Sequence, residues 1–196
     1  RHPTLLVTSS ALQSVHYQAR NPRILLDYRT YPTQPVLSLD AEVKATGDES
    51  WGTFHLRCLI PPQEALQTWQ CHDGLYQDVR SNIPFHVQVT PTLKSVGAAS
   101  SARGMELILN VNQARFSDAA GLHAGEHLTG QVRLSAHEQA GGWRWQGLFH
   151  WTQGELFWQP FYFAEGDKRF EFSGFYQAPY LDIEQAQLSL DGVGTL

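Results

Sequence analysis

GWRWQGLFHWTQGELFWQPFYFAEGDKRFEFSGFY, residues 142–176, holds four of the six tryptophans and seven of the ten phenylalanines of a 196-residue chain. Trp143, Trp145, Phe149 and Trp151 share odd parity, and an extended backbone puts them on one face. Arg144, Gln146, His150 and Thr152 take the other, with Leu148 the apolar residue among them. A 3.6-residue helix would scatter those rings around its circumference, so the period of two predicts a strand. Gln153-Gly154 reads as a hairpin turn. The returning run from Leu156 to Phe163 is aromatic on both faces, with Phe157, Phe161 and Phe163 on one and Leu156, Trp158 and Tyr162 on the other. Gly166-Asp167 turns the chain again, and Phe170 and Phe172 alternate in a third strand. The stretch is expected to be an antiparallel meander carrying an aromatic wall.

Working outward, the same grammar continues on both sides. Leu37, Leu39, Ala41, Val43 and Ala45 alternate with Ser38, Asp40, Glu42, Lys44 and Thr46, one dry face against one wet face. Phe54, Leu56, Cys58 and Ile60 face in on the next strand. Thr4 to Ser9, Ala11 to Ala19, Ile24 to Thr30, Leu75 to Arg80, Ile83 to Thr90, Met105 to Phe116 and Glu126 to Ala136 are further predicted strands. Asn21-Pro22 is expected to break the chain. Ser117 to Gly125 is turn-rich. Gln63 to Gln70, after Pro62, is the one short helical segment. Thr92 to Arg103 is small, polar and glycine-containing, and reads as a long exposed loop, a possible sub-boundary within a single all-β region, 1–196. In the last strand Leu181 and Ile183 are odd but Leu188 and Leu190 even, which predicts a bulge near Gln185. Sandwich, barrel and open sheet all fit this spacing. The reading adopted is an all-β antiparallel meander forming a curved sheet or U-shaped groove.

A formal charge of −5 with no basic cluster argues against a nucleic-acid partner. No apolar run approaches the roughly 18 residues of a membrane-spanning helix. The chain opens on a strand and stops at Gly194-Thr195-Leu196, so it is expected to be a segment of a longer protein. Its two cysteines, Cys58 and Cys71, are spaced to close a disulfide, worth about 3 kcal/mol in the chain-entropy model. That bond would imply an oxidising compartment; the alternative is two buried thiols.

Motifs for chemistry are sparse. His123-Ala124-Gly125-Glu126-His127 matches the inverted zinc-protease pattern, but that chemistry needs both histidines on one helical face, and Gly121 and Gly125 argue against a helix. His16, His55, His86 and His150 fall singly on wet strand faces. There is no G-x-S-x-G elbow and no phosphate-cradling glycine loop. Asp182 and Glu184 share a strand face, where solubilising residues are the plain account. No catalytic residue, metal or cofactor is therefore expected. The aromatic wall fits either a packed core between sheets or the lining of a site for an apolar or stacking ligand. Candidates for a lipid groove are Trp143, Trp145, Phe149, Trp151, Phe157, Phe161, Phe163, Phe170 and Phe172.

The text L-x-I-E-x-A-x-L-x-L-x-G-V-G-x-L at Leu181 to Leu196 resembles the AsmA/TamB superfamily of bacterial envelope proteins. So does Phe116-Ser117-Asp118-Ala119-Ala120-Gly121-Leu122 leading into Leu128-Thr129-Gly130-Gln131-Val132. The resemblance covers roughly the C-terminal 90 residues; the cysteine pair and the Trp-rich meander depart from it. It implies a long β-sheet rolled into a trough in the periplasm, anchored to the inner membrane by a segment outside this chain. It also implies a non-enzymatic role in intermembrane phospholipid transport or outer-membrane assembly. Phospholipid or another acyl-chain ligand is then the expected partner, with envelope proteins beside it. The alternatives are a carbohydrate-binding β-sandwich and a structural assembly module.

Overall fold

A computed structural model describes residues 4–13, 17–28, 35–45, 50–60, 68–96, 100–178, 180–190 and 194–195. These form fourteen strands and no helix. They are β1 (Thr4–Thr8), β2 (Ala11–Gln13), β3 (Tyr17–Asp27), β4 (Val36–Ala45), β5 (Gly52–Leu59), β6 (Trp69–Gln77) and β7 (Asn82–Val96), followed by β8 (Ser100–Ser117), β9 (His123–Gln139), β10 (Gly142–Trp158), β11 (Phe161–Phe163), β12 (Lys168–Gln177), β13 (Tyr180–Leu190) and β14 (Gly194–Thr195). All belong to one antiparallel sheet in the order β1-β3-β4-β5-β6-β7-β8-β9-β10-β12-β13-β14, with β2 beside β3 and β11 beside β10. Its two ends do not pair among the described residues, so the sheet is open rather than a barrel.

One rung shows how the sequence pattern becomes an architecture. Leu5, Leu26, Leu37, Cys58, Cys71, Val87, Leu109, Val132, Phe149, Phe170 and Leu188 are successive cross-strand partners from β1 to β13. Paired residues point to the same side, so a single apolar face runs the width of the sheet. One residue away, His86, Asn110, Gln131, His150, Arg169 and Ser189 form a polar rung on the other face. At ~4.8 Å per strand the apolar rung is roughly 48 Å across.

No second layer covers that face among the described residues. Leu5 is 58% exposed at one edge, Leu134 37% in the middle and Ile183 66% at the other edge. The buried apolar residues reduce to Val36, Cys58, Cys71, Ala114 and Trp151. The accessible surface is 13053 Å², against about 9,300 Å² for a compact globule of this 22.1 kDa mass. Cohesion therefore comes from the hydrogen-bonded ladders and cross-strand pairs rather than from an enclosed core.

Bulges bend the long strands. Asn21, Asp73, Gln113 and His127 have positive φ, as does Gly154, and each sits at or beside a shift in register. Each inserted residue flips the parity of the residues after it, so the apolar face keeps its side although the sequence changes phase. The Asp78 carboxylate closes the β6–β7 turn by accepting the N–H groups of Arg80 and Ser81 and the Tyr76 hydroxyl.

Several expectations need correction. Gln153-Gly154 is a bulge inside an unbroken β10; the chain reverses at Gln159-Pro160, joined by a cis peptide bond. In the resulting hairpin Leu156 pairs with Phe163 and Trp158 with Phe161 on the apolar side, while Phe157 pairs with Tyr162 on the polar side. Phe157 therefore leaves the wall, and Leu156 and Trp158 join it. Asn21-Pro22 bends β3 without ending it. Residues 92–103 are not a long loop: β7 runs to Val96, β8 starts at Ser100, and the ladder between them continues to the Val96–Ser100 pair. Trp69 and Gln70, assigned to the helical segment, open β6; residues 61–67 lie outside the described set. The bulge in β13 falls at Glu184, beside the expected Gln185: Ser173 pairs with Gln185 and Gly174 with Ile183.

Candidate functional site: an apolar sheet face

The aromatic part of the face is assembled by β10, β11 and β12. Trp145 contacts Phe172 (ring centroids 5.8 Å apart) and Phe172 contacts Phe170 (5.3 Å). Phe149 contacts Trp151 (5.3 Å), which meets Phe163 edge-on (5.8 Å), and Phe163 leads to Phe161 (6.3 Å). Phe149 and Phe170 are direct cross-strand partners and join the two rows. Trp143 stands at the far end, between Glu138 and Tyr176. Eight of the nine expected wall residues thus share one face. The aliphatic strands β3 to β9 continue it, a continuation that aromatic content alone does not reveal.

Glycines set the posture of the rings. Phe172 lies over its cross-strand partner Gly147, Trp145 over Gly174, Phe85 over Gly74 and Phe116 over Gly125. A Cβ on any of these glycines would collide with the ring above it. Large rings consequently lie against the sheet, and the face is smooth rather than bristling. Beside them Trp145, Phe170, Phe172, Leu181, Ile183 and Ala186 line a depression of about 320 Å³ with no polar atom in its surface.

Two polar features interrupt the apolar character. Lys168, buried on this face beside Trp151, donates from Nζ to the carbonyls of Ala164 and Gly166 (3.0 Å for the second) and lies 5.2 Å from the Trp151 ring centroid. Carbonyl oxygens and a ring face are what a desolvated ammonium requires. The indole N–H groups of Trp145 and Trp151 are enclosed without an acceptor among the described residues.

The polar face carries the charged network. Arg144 binds Glu184 (2.6 Å) and Arg20 binds Glu42 in a two-point pair (2.8 Å each). The Arg144 guanidinium holds the Glu184 carboxyl below its ordinary range, and Arg20, then Asn21, do the same for Glu42. His55 meets Asp40 (2.6 Å) and His150 meets Asp167 (2.5 Å). A hollow of about 490 Å³ opens here between Glu106, Arg133, Ser135, Gln146, Leu148, Glu171, Ser173 and Gln185.

The H-x-x-E-H residues do not converge. His123 turns to Asp118 (2.6 Å) and packs at a tilt against Trp158 (ring centroids 4.1 Å apart), whereas His127 bonds Gln113 (3.1 Å) across a bulge. Burial pushes the Asp118 carboxyl up, but the hydrogen bonds from His123 and Leu122 outweigh it and leave its pKa lowered. No group of three His, Cys, Asp or Glu side chains arranged for a metal occurs among the described residues. His16 lies outside them. Cys58 and Cys71 are bonded, directly opposite each other on β5 and β6, so the disulfide ties strand to strand rather than a loop to the sheet.

No protein family, curated protein or solved structure matches this chain.

Proposed function

We propose that the chain binds phospholipid, or another acyl-chain ligand, along the apolar face of its sheet and holds or passes it on without covalent chemistry. The observation that carries this reading is the apolar rung from Leu5 to Leu188, over which no second layer lies among the described residues. Exposed apolar surface on this scale marks an interaction site in a folded protein. Its span of roughly 48 Å exceeds the ~30 Å hydrocarbon core of a bilayer, so an extended acyl chain has room to lie on it or move along it. A methylene half-covered by such a face gains about 0.4 kcal/mol, half the full-burial value, so a sixteen-carbon chain gains about 6 kcal/mol before the cost of association. Association takes back at least about 4 kcal/mol of that, so a single half-covered chain is held loosely, and firm capture needs fuller coverage or a second chain.

The resemblance of Phe116 to Val132 and Leu181 to Leu196 to the AsmA/TamB superfamily supports the same reading. With it come a periplasmic setting, an inner-membrane anchor outside this chain and envelope proteins as further partners. The Cys58–Cys71 bond favours an oxidising compartment. The carbohydrate alternative loses its sandwich, because the single sheet has no second sheet to pack against among the described residues.

Lipid mass spectrometry of protein purified without detergent tests the proposal. Co-purified acyl lipids are expected, and Phe170→Asp, at a 38% exposed wall position, should deplete them severalfold while leaving the circular dichroism unchanged. Absence of acyl lipid after purification, together with no uptake from phospholipid vesicles, would overturn it. Trp fluorescence responding to oligosaccharides instead would favour the sugar reading.

A further inference from the structure

We propose that His72 and His86 form a two-imidazole site for a borderline divalent metal ion of the Zn²⁺ type on the polar face of the sheet. In the sequence the two are far apart, and the fold brings them together. Cys71 pairs with Val87 on the apolar face, so the next residue of β6 and the preceding residue of β7 turn to the polar side and meet there. Their ring centroids are 6.1 Å apart at an interplanar angle of 61°, and both residues are exposed. β6 and β7 are inner strands, flanked by β5 and β8, so the meeting is fixed by the middle of the sheet.

Their surroundings set these two apart from other histidines. His55, His123 and His150 are engaged by Asp40, Asp118 and Asp167, and His127 by Gln113. His72 and His86 face each other instead. Imidazole nitrogen suits Zn²⁺ and its first-row neighbours, whereas Mg²⁺ and Ca²⁺ want oxygen donors. A zinc–imidazole bond measures ~2.0–2.1 Å, so one ion fits between rings at this spacing once the exposed side chains turn a nitrogen each toward it. After the first nitrogen binds, the second is already in place, so the pair holds the ion more tightly than either ring alone. The Cys58–Cys71 bond fixes the backbone at the residue beside His72, which reduces the ordering that binding must impose. No third His, Cys, Asp or Glu joins the pair among the described residues, and Arg57, the β5 partner of His72, adds a positive charge. The site is therefore open, with water completing the coordination, and weaker than a closed structural centre. A bound ion would clip β6 to β7 on one face, next to the point where the disulfide clips β5 to β6 on the other.

Calorimetric titration of the untagged chain with Zn²⁺ should show one ion bound per chain, with no response to Mg²⁺. His72→Gln and His86→Gln should each weaken binding at least tenfold, while His137→Gln, elsewhere on the polar face, leaves it unchanged. In the unaltered protein, substoichiometric Co²⁺, a paramagnetic stand-in for zinc, should broaden the imidazole resonances of His72 and His86 before those of the other histidines. That measurement needs no variant, so a substitution that disturbs folding does not decide the outcome. No Zn²⁺ binding up to millimolar concentration, parental affinity in either glutamine variant, or an equal loss in His137→Gln would each overturn the proposal. So would broadening spread evenly over the histidines, which would mean adventitious association with the surface.

Discussion

Trp151 is the large apolar side chain most nearly enclosed among the described residues, at 7% exposure, between Phe149, Phe163 and the Lys168 ammonium. Truncating it removes contacts that nothing else in a single-layer sheet can replace. Trp151→Ala is expected to cost about 3–5 kcal/mol in chemical denaturation. Ile183→Ala, at a 66% exposed site on the same face, should stay within about 0.5 kcal/mol of the parent. Equal losses at both positions would contradict the uncovered face. The wall itself was legible in the sequence because Trp143, Trp145, Phe149 and Trp151 alternate with polar residues. Its posture was not. Gly147 and Gly174 look like weak points in a strand until the register puts Phe172 and Trp145 over them, and register is a long-range property.

Among elements, β5 and β6 are the pair fixed covalently. Reduction of Cys58–Cys71, or Cys58→Ser, should cost about 3 kcal/mol by restoring the freedom of a closed loop with a sequence separation of 13. Denaturant midpoints with and without reductant measure it, and no shift would mean that the unfolded loop is already restricted. Element boundaries were the least readable part of the chain. Gln153-Gly154 carries the chemistry of a tight turn, and a glycine with positive φ serves a bulge equally well. What decides between them is whether β9 extends far enough to pair with Glu155, Leu156 and Phe157, which it does. Residues 92–103 misled for a related reason. Small polar side chains signal a loop only where a strand needs an apolar face, and a ladder can continue on backbone bonds alone.

For the whole molecule, the lack of an enclosed core among the described residues predicts graded rather than uniform stability. β8, β9 and β10 are the long inner strands, paired on both sides, whereas β1 and the two-residue β14 beside β13 stand at the ends of the strand order. Hydrogen exchange at dilute concentration should be slowest in β8–β10 and rise toward both edges. Uniform protection would point to a second layer that covers the face. The all-β, antiparallel character came from alternation repeated across the chain, whereas the same alternation fits a sandwich, a barrel or an open sheet. That nothing among the described residues packs on the dry side did not come from it, since an apolar strand face reads the same whether a neighbouring sheet or a ligand will cover it.

The Cys58–Cys71 rung has a mechanical consequence. A one-layer sheet under tension gives way like a zipper, one ladder at a time from an end, because each strand leans only on its neighbours. Peeling that starts from β1 would pass through β3 and β4 and then stall at a link no hydrogen-bond rupture can undo. Load would then cross from Cys58 straight to Cys71 and on into β6, so the chain between the two sulfurs is never released and the molecule lengthens by that much less on the way to the aromatic half.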